Sequence, residues 1–169
     1  AFRIELRAFD GVQLGQLAVA DHHGGDRSAP AGLDALRLHI AGEANVADAV
    51  YELLANNCLR VVVRDPDQPS RAPVVLPPEA LAPVGFGEDE SLLPYPRRIL
   101  AGYVLLQELF VFPQKFLFFD VRGLAAALRA LDAGPRAELF FVVSPFERAE
   151  RRQIVEFGVT ARTFRLGCT

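Results

Sequence analysis

Between Leu92 and Val121 the chain reads LLPYPRRILAGYVLLQELFVFPQKFLFFDV, and the order of signals in it restricts what can fold. Pro94 and Pro96 brace the entry, because each fixes its own φ and drives the preceding residue towards extended conformations. Ile99, Tyr103, Leu106 and Phe110 then recur at spacings of four, three and four, which predicts a helix with these residues on one core-facing side. Pro113 stops that helix. Phe116 to Phe119 follows as an unbroken apolar run, too short for a helix and aromatic enough to predict a strand buried on both faces. A helix feeding a buried strand through a proline turn is the expected centre of a core.

The rest of the chain supplies partners for that core. At 169 residues, 51% hydrophobic and 23% charged, it belongs with globular rather than disordered sequences and can bury a real interior. A net charge of -3 gives no overall basic footprint for nucleic acid. No run approaches the ~18 apolar residues of a membrane span, since Gln107, Glu108 and Pro113 interrupt the longest candidate. Cys58 and Cys168 match no zinc spacing and are expected to be two reduced thiols. The absence of methionine and the abrupt start at Phe2 lead us to expect an internal fragment of a longer polypeptide.

Phe2 to Ala8 alternates apolar and charged residues, the period-two pattern of a strand with one wet side. Val12 to Val19 is a possible hairpin partner beyond the Asp10-Gly11 turn. Asp21 to Gly32 reads as a solvated loop despite His22, His23 and Asp26. Leu36 to Ile40 alternates again, placing His39 with Arg37 on the charged face. Asn45 is the expected N-cap of a helix whose stripe is Val46, Ala49, Val50, Leu53 and Leu54. Leu59 to Val63 predicts a strand closed by Asp65-Pro66. In the proline-rich stretch that follows, Val74 to Leu76 is a candidate edge strand. Gly123 to Leu131 predicts a short helix and Glu138 to Val143 a strand. Ser144, Pro145 and Glu147 carry the N-cap, N1 and N3 pattern of a helix reaching about Glu156. Val159 to Leu166 fits strand or helix.

These elements predict an α+β fold, with a mixed or mainly antiparallel sheet packed with three to four helices. Three parts are expected: a strand-strand-helix-strand part over 1–65, a proline-rich connection and acidic turn over 66–91, and a helix-strand core over 92–169. All three are compatible with one compact domain.

Catalytic motifs are absent: no nucleophile elbow, Walker loop, dinucleotide fingerprint or zinc-binding H-E-x-x-H occurs. Neither a catalytic residue, a cofactor site nor a metal site is expected. Within the apolar helix, Gln107 and Glu108 read either as a buried polar anchor, or with Glu108 facing solvent and Gln107 at the edge of the stripe. Arg97 and Arg98 oppose the helix dipole and invite pairing with Glu88, Asp89 or Glu90, or with an acidic partner. A carboxylate-dependent hydrolase using Glu108 and Asp120 is the alternative from another class, and it requires the two acids to converge. A ligand- or peptide-binding module with an exposed aromatic patch is a further one.

Taken together, Leu93-Pro94-Tyr95-Pro96, Gly102-Tyr103, Leu105-Leu106-Gln107-Glu108 and Phe112-Pro113-x-Lys115-Phe116-Leu117-Phe118-Phe119-Asp120 resemble the signature of the TssF baseplate subunit of type VI secretion systems, also called ImpG or VasA. Arg165-Leu166-Gly167-Cys168-Thr169 resembles a further family segment. Val104 stands where the family often has a basic residue, and Leu109 where it often has an aromatic one. The resemblance implies a structural protein of a phage-like contractile machine in the bacterial cytoplasm, without catalysis or cofactor. It implies a TssG-type wedge subunit, TssK, TssE and the spike-hub protein as partners, no nucleic acid and no direct membrane insertion. Arg97, Arg98, Gln107 and Glu108 are then the expected partner contacts.

Overall fold

The computed structural model describes residues 1–9, 11–16, 35–92 and 100–167. Eight strands and four helices follow one another in it: β1 (Phe2–Arg7), β2 (Ala35–Ile40), α1 (Ala44–Asn56), β3 (Cys58–Arg64), β4 (Val74–Leu76), β5 (Leu81–Pro83), α2 (Ala101–Val111), β6 (Phe118–Arg122), α3 (Leu124–Ala130), β7 (Arg136–Val143), α4 (Ala149–Gly158) and β8 (Phe164–Arg165). The strands form two four-stranded sheets, ordered β1-β7-β3-β4 and β5-β6-β2-β8, and each of their pairings is antiparallel. This is an α+β fold. Both sheets draw strands from the two halves of the chain.

The period-two reading of β1 holds, but its partner lies far away in sequence. Phe2 to Arg7 pairs residue by residue with Phe141 to Arg136. The hairpin expected from Val12 to Val19 is replaced, within the described residues, by a 3-10 turn at Leu14–Gln16. Its amides donate instead to Gly134 and Ala133 at 3.0 and 2.8 Å, which leaves the edge of β7 to β1. The loop carrying His22, His23 and Asp26 lies outside the described residues.

One apolar cluster unites the two sheets with α1 and α3. Val61, Val63, Leu139 and Phe141 enter it from the first sheet, Leu38, Ile40, Phe119 and Val121 from the second. The predicted α1 stripe is buried in full, from Val46 through Leu54. The helix begins two residues earlier than expected, so Asn45 lies in its first turn and Glu43 is the N-cap; Asn45 Oδ1 accepts from the Val46 amide at 2.8 Å. Val74 to Leu76 is an edge strand as anticipated.

Two local expectations give way to long-range bonds. Ser144 does not cap α4, which begins only at Ala149. Its amide donates to Asn57 O at 2.9 Å and its hydroxyl accepts from Asn57 Nδ2 at 3.1 Å, tying the end of β7 to the end of α1. Phe146 then drops into a small cluster with Ala49 and Leu53. Similarly, the run Phe116 to Phe119 is not one strand. Phe116 closes a 3-10 turn, Pro113–Phe116, and β6 starts at Phe118 with Phe119 buried and Phe118 half-buried against His39.

Candidate assembly surface

Helix α2 is apolar on nearly every side, so periodicity does not decide which face packs. Only Val104 and Glu108, one turn apart, are buried. The stripe expected to face the core is exposed instead: Tyr103 is 63% exposed, Leu106 52% and Phe110 81%. Ile99, the fourth member, lies outside the described residues, as do Pro94, Tyr95, Pro96, Arg97 and Arg98.

The orientation is set by the carboxylate. Glu108 is 3% exposed and accepts from Ser91 Oγ at 3.0 Å, from the Leu92 amide at 2.8 Å and from Lys115 Nζ, which is itself buried. A buried ionised carboxyl is expensive unless such donors meet it. Burial is the largest single influence on Glu108 and opposes its ionisation, yet Lys115, the Leu92 amide and Ser91 together outweigh it and hold the carboxyl below its ordinary range. Of the two readings of Gln107 and Glu108, the buried anchor describes Glu108, while Gln107 is exposed. Glu108 was expected among the partner contacts as well; it faces the body of the molecule because its donors lie there.

Lys115 reaches back because Pro113 ends the helix and the 3-10 turn reverses the chain beneath it. The ammonium sits 5.2 Å from the Phe116 ring centroid, and Phe116 in turn packs on Phe86 at 5.1 Å. The approach is close: a Cβ on Gly85 would lie 2.9 Å from Lys115 O, and Gly85 has φ +101°, a conformation side chains rarely adopt.

With α2 turned this way, seven of the fifteen exposed large apolar side chains among the described residues fall between Leu100 and Phe112. Leu100, Phe110 and Val111 are each about four-fifths exposed. Between the helix and the body runs an apolar groove of about 550 Å³, walled by Leu105, Leu106 and Leu109 on one side and by Tyr51, Phe86 and Phe116 on the other, with Asp48 also lining it. Of the remaining signature residues, Gly102 and Pro113 line this groove, Phe112 is 47% exposed, and Phe119 and Asp120 belong to β6.

Asp120 stands opposite Arg37 in the second sheet and accepts from it twice at 2.8 Å. Each acid of the hydrolase alternative is thus occupied by its own cation. Among the described residues no three His, Cys, Asp or Glu side chains gather to hold a metal, and no helix is long and apolar enough to cross a membrane. Sequence reasoning did not find Ser91 and Lys115 as the partners of Glu108; the available signal was a lone acid and a lone base flanking the proline that reverses the chain.

Fold and surface together define an α+β domain that fixes an apolar helix outward on a charged anchor. The family model described as Type VI secretion system, TssF matches residues 2–169, and the chain belongs to that family. A curated relative, type VI secretion system component TssF1 of Pseudomonas aeruginosa, is 36% identical over 127 residues, covering 75% of this chain and 18% of the relative. A chain in the cryo-electron microscopy structure of the type VI secretion system TssK-TssF-TssG baseplate subcomplex is 28% identical with a TM-score of 0.63, over 79% of this chain and 24% of that one. The chain therefore spans less than a quarter of either relative's length.

Proposed function

We propose that this chain is a scaffold domain of a type VI secretion baseplate subunit, working by being rigid and by touching neighbours rather than by catalysis. The carrying observation is the apolar face of α2, held outward by a buried ion pair in a chain that matches the TssF family from end to end. Monomeric proteins rarely expose such continuous apolar surface without a use for it. Covering one side chain of the size of Phe110 contributes roughly 1.5–3 kcal/mol, so a few residues of this face suffice for a durable contact.

The matched baseplate structure, whose name pairs TssF with TssK and TssG, supports a TssG-type subunit and a TssK-type subunit as the neighbours. TssE and the spike-hub protein extend the same reading, with the bacterial cytoplasm as its setting. Gln107, beside the apolar face, and Arg97 and Arg98, from the segment leading to the helix, are the polar contacts we assign to it. Glu108 contributes by fixing the helix. Residues 1–65, 66–91 and 92–169 act in this role as one unit, since strands from both halves share each sheet. Co-purification of the full-length parent with the TssG-type subunit of the same organism tests the proposal; failure with both proteins folded would count against it.

A further inference from the structure

The outer face of the first sheet carries a second surface, chemically unlike α2. Register places its side chains in rows. Arg3, Phe140, Val62 and Val75 form a central row across all four strands; Glu5, Glu138 and Arg64 form the next; Arg7 and Arg136 pair beyond it, and Val142 and Arg60 on the other side. Five arginines thus stand with two carboxylates in these rows, and Asp67 adds a third acid against Arg136, in a chain whose net charge is -3.

Glu5 and Glu138 lie directly opposite one another, a like-charge pair that destabilises a sheet unless cations intervene. Here they do. Glu138, 2% exposed, is held by Arg3 and by Arg64, whose Nε lies at 3.0 Å. Glu5 accepts from Arg7 at 2.8 Å with Arg136 at 3.9 Å, and Arg136 Nε also donates to Asp67 at 3.1 Å. Glu5 and Glu138 are each shared between two guanidinium groups, and a guanidinium has five N–H donors, so most donors remain unspent. They are also pre-ordered. The buried Glu138 fixes Arg3 and Arg64, and Arg64 stacks over Phe140 at 5.3 Å, which lowers the ordering cost of a second carboxylate binding there.

We infer that this face docks an acidic protein surface, with Asp and Glu side chains meeting the arginine rows and apolar side chains covering Phe140, Val62 and Val75. A polyanionic nucleic acid fits less well. The chain as a whole is negative, and the one aromatic ring of the face is half-buried beneath Arg64 rather than open for base stacking. The inference rests on the proposal that the parent assembles with other baseplate subunits.

The experiment uses the full-length parent and its co-expressed baseplate subunits, wild type against Arg7→Glu/Arg60→Glu, with Arg7→Gln/Arg60→Gln as the neutral counterpart. Arg7 and Arg60 are exposed, and changing them leaves the Glu138 pairs intact. Charge reversal should weaken retention of one subunit by about tenfold or more, the neutral pair by less. Retention of the same subunit by the wild type should fall as salt rises from ~0.1 to ~1 M, where the Debye length shrinks from ~10 to ~3 Å. Co-purification that is indifferent to both reversal and salt overturns the inference while leaving the baseplate proposal standing. If the wild type captures no subunit, the underlying proposal fails instead. A labelled single-stranded DNA oligonucleotide serves as the competing probe: preferential, reversal-sensitive capture of it overturns the acidic-protein assignment.

Discussion

Lys115 donates to Glu108 from the far side of a proline, and with Ser91 and the Leu92 amide it holds that carboxylate inward, so that the apolar face of α2 looks outward. Removing one member should therefore cost more than removing both. Lys115→Met leaves Glu108 buried with Ser91 and the Leu92 amide but without a counter-charge, for an expected loss of ~3–5 kcal/mol. The double change Lys115→Met/Glu108→Gln should recover a substantial part of that loss. Chemical denaturation of the three proteins measures the difference.

Acid should act through the same carboxylate. The folded-state pKa of Glu108 is lowered, so the unfolded chain binds this proton more readily and the group's contribution is present above the unfolded value of ~4.3. It is lost as pH falls through the depressed folded value. Stability measured from neutral to acid pH should fall less steeply below ~4.3 in Glu108→Gln than in wild type. An unchanged slope would show that folding does not lower the pKa of Glu108.

Neighbouring phenylalanines of β6 should respond differently. Phe119 is buried against Tyr51 at 4.9 Å between ring centroids, so Phe119→Ala is expected to cost ~3–5 kcal/mol. Phe118 is half-buried on the outer face over His39, and Phe118→Ala should cost roughly 1–2 kcal/mol. Equal losses in thermal or denaturant unfolding would contradict the assigned faces.

Gly158 ends α4 where that helix meets α1. A Cβ there would fall inside contact distance of both methyl carbons of Val46, whose β-branched side chain has little freedom to move. Gly158→Val should destabilise by ~1–3 kcal/mol through overpacking, and Val46→Ala in the same chain should relieve part of it. Additive losses in denaturant unfolding would show that the two positions do not touch.

Where each residue's neighbours follow from local pattern, the sequence is readable. The alternation of β1 and β2 and the one-sided stripe of α1 name their buried faces directly, because polar residues occupy the other side. Helix α2 offers no such contrast. With Leu, Phe, Tyr and Val all around it, spacing alone favoured the Tyr103, Leu106 and Phe110 side, and three donors distant in the chain or beyond Pro113 decided otherwise. Ser144 is a similar case: its capping pattern is sound locally but loses to Asn57 across the fold. His39 sits with Arg37 as alternation predicts, yet Phe118 on the next strand covers it. Burial and then the charge of Arg165 push its pKa down. Family membership was legible in the signature residues, whereas the direction that α2 faces was not.

That direction is the central claim, and one comparison tests it most directly. The full-length parent carrying Leu106→Asp/Phe110→Asp is compared with wild type for thermal unfolding and for co-purification with its TssG-type subunit. Both side chains are more than half exposed, so surface substitution should change stability by no more than ~0.5 kcal/mol. The predicted result is an unchanged unfolding midpoint with loss of the captured subunit. Marked destabilisation would show that the face is buried in the parent's own core, and undiminished capture would show that assembly does not use it; either result contradicts an outward assembly face on α2.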